Sequence, residues 1–300
     1  MRKPLVSVIM SCYNGEKYIK KSVSSIINQT YENWELIFWD NNSSDNSAKI
    51  ISSFNDKRIK YFKSNKTTNL GVSRSNAISE SLGDYIAFLD VDDYWLSEKL
   101  KASIECFEKN HDCVLYFSNY FIEYINKNIT EKKNFKFNIN NNQLNSVFDS
   151  YIKNTGLIAF LTVIIKKTAL EKEDCYFDKN LHISADFELI LRMAEKYKFV
   201  FDKKATAVYC RHSSNETLNS LNQQTNELLY CYEKLKKNIQ LSEKLKSYFF
   251  NTINYNLSKI DLKNKEYKKF FIKFMSIKNL RLKIKILVIL FLYFIGIKKL

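Results

Sequence analysis

The feature that most constrains this 300-residue chain is a rhythm in its first third. Short apolar runs with no polar alternation take turns with stretches of helical spacing. Residues 5–12 form a β-branched run that Tyr13-Asn14-Gly15 breaks. Residues 17–29 then set Tyr18, Ile19, Val23, Ile26 and Ile27 on one helical face. A second run, 34–39, stops at Asp40-Asn41-Asn42-Ser43, and Ser44-Asp45 predicts a cap for the helix that follows. A third strand at 59–62, a helix over 71–82 and a fourth strand at 85–89 repeat the pattern. The fourth strand ends on Asp90-Val91-Asp92-Asp93. Strands apolar on both faces, alternating with helices, predict an α/β fold with a mostly parallel sheet covered on both sides. With only 5 glycines and 1 proline, a turn-rich all-β chain or a linker-like chain is a poor fit.

In such sheets ligands bind beyond the carboxyl ends of the strands. The clusters Tyr13-Asn14, Asp40-Asn41 and Asp90–Asp93 each sit at such an end. Three carboxylates on one turn repel unless a positive group lies among them. A divalent cation on a diphosphate answers that need, and hard oxygen ligands suit Mg²⁺ or Mn²⁺. Taken alone, the motif is equally an acidic turn capping a helix near residues 97–107.

Farther on, 114–124 reads as strand, 126–142 as a loop or hairpin, and 157–165 as another strand. Residues 187–197 read as helix, 198–201 and 205–209 as strands, and the chain from 226 onward as helices rich in lysine. Charge divides the same way. Residues 1–230 hold 30 Lys/Arg and 28 Asp/Glu, whereas 231–300 hold 17 and 4. A basic tail suits anionic lipid or nucleic acid. No nucleic-acid module accompanies it, so nucleic acid is not the expected partner. The six cysteines show neither CxxC nor zinc spacing, and the first residues have too short an apolar stretch for a signal peptide. Both point to a reducing, cytoplasmic setting. Residues 286–297 are twelve apolar residues between lysines, short of the ~20 that a spanning helix needs. An interfacial helix on an anionic membrane surface is the expectation, and a terminal core helix is the alternative.

Four ordered blocks resemble family 2 glycosyltransferases: VSVIMSCYNGEKYIKKSVSSIINQTYENWELIFWDNNSSDNS, NLGVSRSNAISESLGDYIAFLDVDD, FDKNLHISADFELILRMAEKYKFVF and AVYCRHSSNET. The resemblance covers about residues 5–215. It implies a GT-A fold, Rossmann-like and nucleotide-sugar-binding, over 1–225. A basic helical extension follows over 226–300, with a membrane-associating segment at 283–300. It implies transfer of one sugar from a nucleotide-sugar, a UDP-sugar foremost, to a lipopolysaccharide, capsule or lipid-linked acceptor. The transfer would invert the anomeric centre with Mn²⁺ or Mg²⁺.

Carried over position by position, the resemblance gives Ser11, Tyr13, Asp40, Asn41, Arg74 and Asp90 to the nucleotide-sugar. It gives Asp92 and His212 to the metal, and Asp186 to the general base that deprotonates the acceptor hydroxyl. Asp93 would support the turn. Two positions depart from the family pattern. Asn41 stands where a second Asp is common, and Ala185 where Glu usually precedes the base. They leave open an alternative, a degenerate transferase that binds nucleotide-sugar without transferring it. The Gln-x-x-Arg-Trp signature of processive synthases is absent.

Overall fold

The computed structural model describes residues 2–125, 129–133, 158–173, 176–213, 215, 220–238 and 243–294. Contacts divide the chain into two compact units, Met1–Ser213 and Ser214–Leu300. The sequence reading put its boundary at 225/226, which lies inside the helix Leu221–Asn238.

The first unit is a mixed sheet with helices on its faces. Its strands are β1 (Val6–Cys12), β2 (Trp34–Asp40), β3 (Ile59–Lys63), β4 (Tyr85–Phe88), β5 (Tyr94–Trp95), β6 (Cys113–Tyr124), β7 (Ile129–Lys133), β8 (Ile164–Lys166) and β9 (Lys198–Arg211). The helices are α1 (Ile19–Ile27), α2 (Ser47–Ser52), α3 (Leu70–Ser79), α4 (Lys99–Lys109), α5 (Lys167–Leu170) and α6 (Ala185–Lys196). Strand order is β3-β2-β1-β4-β8-β6-β9-β5, with β7 paired to β6. The run β3-β2-β1-β4 is parallel throughout. β8 joins β4 antiparallel and begins the mixed half.

β1 is central and almost wholly buried, with one face apolar throughout. Val6, Val8, Met10 and Cys12 pack in one core with Ile19, Val23 and Ile26 of α1 and Leu100, Ile104 and Phe107 of α4. β3, at the edge, has no fully buried residue. The chain leaves β1 toward β2 and β3 on one side and returns to β4 on the other. The carboxyl ends of β1 and β4 therefore flank a topological switch point, where ligands of such sheets bind.

Two strand expectations change in the structure. Within the expected strand at 157–165, residue 157 lies outside the described residues, and Phe160–Thr162 is a 3₁₀ turn before the short β8. Side chains take over its carbonyls. Trp95 Nε1 donates to the Leu161 carbonyl at 2.8 Å, and Lys99 Nζ donates to that of Thr162. The expected strands at 198–201 and 205–209 are one continuous β9, parallel to β6 and taking up its misfit in irregular register at Ser118–Tyr120. Of the expected loop or hairpin at 126–142, the described part is β7, folded back on β6; 126–128 and 134–142 lie outside the described residues.

The second unit contains α7 (Leu221–Asn238), α8 (Glu243–Lys263), α9 (Tyr267–Ser276) and α10 (Leu280–Phe294). Leu262, Phe270, Ile277 and Ile286 form a small buried cluster there, edged by Phe274, Leu282, Ile289 and Leu290. The segment 283–300 is thus not a free tail, because Ile286 is 1 % exposed. Residues 295–300 lie outside the described residues.

Candidate active site

The loops after β1 and β2 are clamped together by polar side chains. The Asn14 amide N–H donates to Ser43 Oγ (3.0 Å), that of Gly15 to Ser47 Oγ (3.0 Å) and that of Glu16 to Asp45 Oδ2 (2.9 Å). Asn14 takes a positive φ of 52°, which Asn tolerates better than most residues. At Gly15 a side chain has no room. A Cβ there would lie 2.9 Å from Cys12 Sγ and 3.1 Å from Val91 Cγ2. Val91, the middle of Asp90-Val91-Asp92, thereby leans on the turn after β1, and the two flanks of the switch point meet.

Asp90 pairs with Arg74 of α3, Oδ1 to Nη2 at 2.6 Å. Arg74 is buried and lies over the Phe160 ring at 4.8 Å, with Phe177 next to it. It is not an exposed helix residue, and its charge is already engaged. Asp92 Oδ2 lies 3.0 Å from His212 Nε2, and the His212 ring stacks on Tyr18 at 4.8 Å. Burial, then the Asp90 carboxylate, push the Asp92 carboxyl above its ordinary value, against the pull of His212. Asp93 is buried outright and accepts from the Cys210 amide N–H at 2.8 Å. Burial, with Asp92 and Asp90 behind it, drives Asp93 well above the usual carboxylate range.

Asp186 opens α6, and its own Oδ1 accepts from the Phe187 amide N–H at 2.7 Å. Burial raises its carboxyl above the ordinary value, Arg74 opposes the shift, and Asp90 adds to it. The structure therefore brings Asp90, Arg74 and Asp186 into one electrostatic group, though they are far apart in sequence.

Ala185 is fully buried beside them. A Cβ on Gly71 would lie 3.3 Å from the Ala185 Cβ and 3.2 Å from the Leu181 carbonyl oxygen. The first turn of α3 thus packs closely on the Ala185 methyl group. His182, which no motif singles out, holds the same turn: its Nδ1 accepts from the Leu70 amide N–H at 2.8 Å.

The residues after β2 are committed differently. Asp40 Oδ1 accepts from the Ser43 amide N–H and Oδ2 from the Tyr61 hydroxyl, both at 2.7 Å. Asn41 makes a two-way pairing with Thr68, donating to its carbonyl at 2.7 Å and accepting from its amide N–H at 3.0 Å. Both side chains act inside the fold. Tyr13 is 57 % exposed at the mouth of the site. Ser11 Oγ is buried with no hydrogen-bond partner among the described residues. The same is true of Trp39 Nε1, directly opposite Ser11 in the β1–β2 register. Sequence reasoning missed Trp39. Its signal was a tryptophan at the strand position before Asp40, where its indole N–H needs a partner once buried.

Among the described residues no group of three or more His, Cys, Asp or Glu forms a self-sufficient metal cage. Asp92 and His212 fit a metal that keeps one or two protein ligands and takes the rest from phosphate oxygens.

The model of Glycosyl transferase family 2 matches residues 7–169, a span that ends before Asp186 and His212. A UDP-Glc:alpha-D-GlcNAc-diphosphoundecaprenol beta-1,3-glucosyltransferase of Escherichia coli is 39% identical over 181 residues, 57% of this chain and 67% of that protein. An uncharacterized glycosyltransferase of Methanocaldococcus jannaschii is 32% identical over 242 residues, 79% of this chain and 80% of that one. Among solved structures, residues 1–349 of S. aureus TarS in complex with UDP-GlcNAc superpose with a TM-score of 0.67 at 19% identity, covering 92% of this chain and 82% of that one. The mannosyltransferase PcManGT from Pyrobaculum calidifontis, in complex with GDP-Man and Mn²⁺, gives 0.64 at 11% identity, with 96% and 79% covered. At those identities the structures speak for the fold alone. The family model and the two sequence relatives go further, and the chain belongs to glycosyl transferase family 2, a glycosyltransferase on the GT-A fold.

Proposed function

We propose that this enzyme moves one sugar from a nucleotide-sugar, a UDP-sugar foremost, onto a lipid-linked precursor of a surface glycan, with inversion at the anomeric carbon. The observation that carries the reading is the meeting of Asp90, Arg74 and Asp186 beside Asp92 and His212 at the switch point of the sheet. The Escherichia coli relative's name, with its UDP-Glc donor and diphosphoundecaprenol acceptor, supports the choice of donor and acceptor class. The solved neighbour that holds UDP-GlcNAc agrees with the donor.

Asp186 acts as the base. Its carboxylate takes the acceptor hydroxyl's proton while that oxygen attacks the anomeric carbon. The bond from that carbon to the diphosphate oxygen breaks on the opposite face, and its electron pair leaves with the diphosphate. Burial raises that carboxyl above its ordinary value, which makes its carboxylate the stronger base. Arg74 holds Asp90 in place and favours the ionised form of Asp186. Tyr13 offers an exposed ring for a base to stack on. A Mn²⁺ or Mg²⁺ ion held by Asp92 and His212 supplies, when bound, positive charge for the leaving diphosphate. The cytoplasmic face of a membrane suits this chemistry, and all five described cysteines are free thiols, as a reducing compartment requires.

The second reading, a binding protein that no longer transfers, drew on Asn41 and Ala185. Each has a structural use here, Asn41 with Thr68 and Ala185 against Gly71, and Asp186 is retained. The test is nucleotide release from a panel of UDP-sugars and GDP-mannose, with and without a GlcNAc-diphospholipid acceptor, in Mn²⁺ and in EDTA. Acceptor-dependent release from one UDP-sugar, lost in EDTA, is expected. Donor binding without release for any acceptor would favour the second reading.

A further inference from the structure

The second unit has more apolar surface than its small core uses. α10 turns Leu282, Ile286, Ile289 and Leu290 toward the cluster around Phe270 and Ile277. Its remaining side chains would be polar in an ordinary surface helix. Instead Ile284, Leu287 and Val288, at helical spacing, are each at least half exposed. α9 does the same: Phe270 is buried, while Phe271, Ile272 and Met275 are each more than 60 % exposed. Isolated exposed apolar residues are ordinary, but six on two consecutive helices that share one core mark a surface with a partner.

The charges say which partner. From Lys268 to Lys285 the chain has seven Lys/Arg and no Asp/Glu. Lys269 pairs with Glu266, and Lys273 with Asp261. Lys268, Lys278, Arg281 and Lys285 are exposed and have no acidic partner among the described residues. A second copy of the chain would bring the same cations against these, so self-association is opposed. Apolar side chains interleaved with cations match a bilayer interface with anionic headgroups. No described helix is long and apolar enough to cross a membrane.

We propose that α9 and α10 together form a docking face for an anionic lipid bilayer, lying in its interface with Phe271, Ile272, Met275, Ile284, Leu287 and Val288 inserted. The docking element therefore begins at least fifteen residues before the terminal apolar run and belongs to a folded unit. This inference does not depend on the identity of donor or acceptor.

Co-sedimentation of the full chain with vesicles tests it. Binding to vesicles of 30% phosphatidylglycerol in phosphatidylcholine is expected, and at least ~10-fold weaker binding to phosphatidylcholine alone. Replacing Lys268, Arg281 and Lys285 by Gln should weaken anionic binding about 5-fold per residue. Phe271→Ser, Ile284→Ser and Leu287→Ser together should weaken it at least ~10-fold, because several large apolar groups leave the bilayer. All six positions are exposed, so the melting temperature should hold, and so should slow donor hydrolysis in solution. The proposal is overturned if the wild-type chain ignores anionic vesicles, or if the apolar triple variant binds them undiminished. It is equally overturned if the wild-type chain is a dimer in solution that the apolar variant splits into monomers, because the face then belongs to a second copy.

Discussion

The turns after β2 and after β4 resemble each other as sequence, each an apolar strand closed by aspartate and its neighbours. Their physics is opposite. Asp40 is fully buried, yet each of its oxygens has a donor, and Asn41 is matched atom for atom by Thr68. That turn is complete by itself. The turn after β4 holds three carboxylates within four residues, with the Arg74 guanidinium on Asp90, the His212 imidazole on Asp92 and the Cys210 amide on Asp93. Burial and mutual repulsion push two of the three above their ordinary values. What separates a structural aspartate from one poised for a cation is thus the like charge beside it, and burial alone does not tell them apart.

The sharpest test of the active half is Asp186→Asn, which keeps the shape and removes the proton acceptor. Turnover should fall at least ~100-fold with donor binding retained, as single-turnover transfer and donor titration would show. Near-normal turnover would place the base elsewhere. Asp40→Ala should strike stability: about 2 kcal/mol, read by denaturant unfolding, with the folded fraction keeping its donor affinity. Asp92→Ala should do the reverse. Metal-dependent donor affinity, measured by calorimetry, should drop at least ~10-fold, since even groups behind a ligand matter that much. The melting temperature should not fall, because a carboxylate repelled by its neighbour is gone. If Asp40→Ala costs activity alone, or Asp92→Ala costs stability, the contrast collapses.

Ala185→Glu restores the family residue at a packed position. It should cost about 1 kcal/mol or more of stability and give no gain in turnover. A faster enzyme would mean that Ala185 is a defect. The smallest effect concerns pH. Asp186 must be ionised to act, and its carboxyl is raised, so activity should fall on acidification while ordinary carboxylates are still charged. Arg74 favours the ionised form. Arg74→Gln should therefore move the acid limb of the kcat profile to higher pH, and Arg74→Lys should partly restore it.

The parallel half of the fold was legible because short, largely apolar strands alternate there with helical spacing. The turn after β4 was legible for the same reason, as its carboxylates directly follow such a strand. Phe160, Phe177 and Tyr18 were not, because an aromatic residue that braces a cation or stacks on a histidine looks like any core residue. The 3₁₀ turn at Phe160–Thr162 was hidden as well. Its apolar sequence reads as strand, and only Trp95 and Lys99, some sixty residues earlier, reveal where its carbonyls go. Asn41 and Ala185 read as losses until Thr68 and Gly71 show what each packs against.

The bond from the Cys210 amide to Asp93 spans 117 residues. Proteins are made from the N-terminus, and a chain still attached to the ribosome at residue 200 would have Asp93 but not its donor. His212, the partner of Asp92, would be missing too. A buried carboxylate without its donor is costly, so the turn after β4 settles only when the last strand of the sheet has been synthesised and laid beside β6. The carboxylates of that turn thus gain these partners only as the sheet is completed. The order comes with the end of the domain, as the closing stitch of biosynthesis.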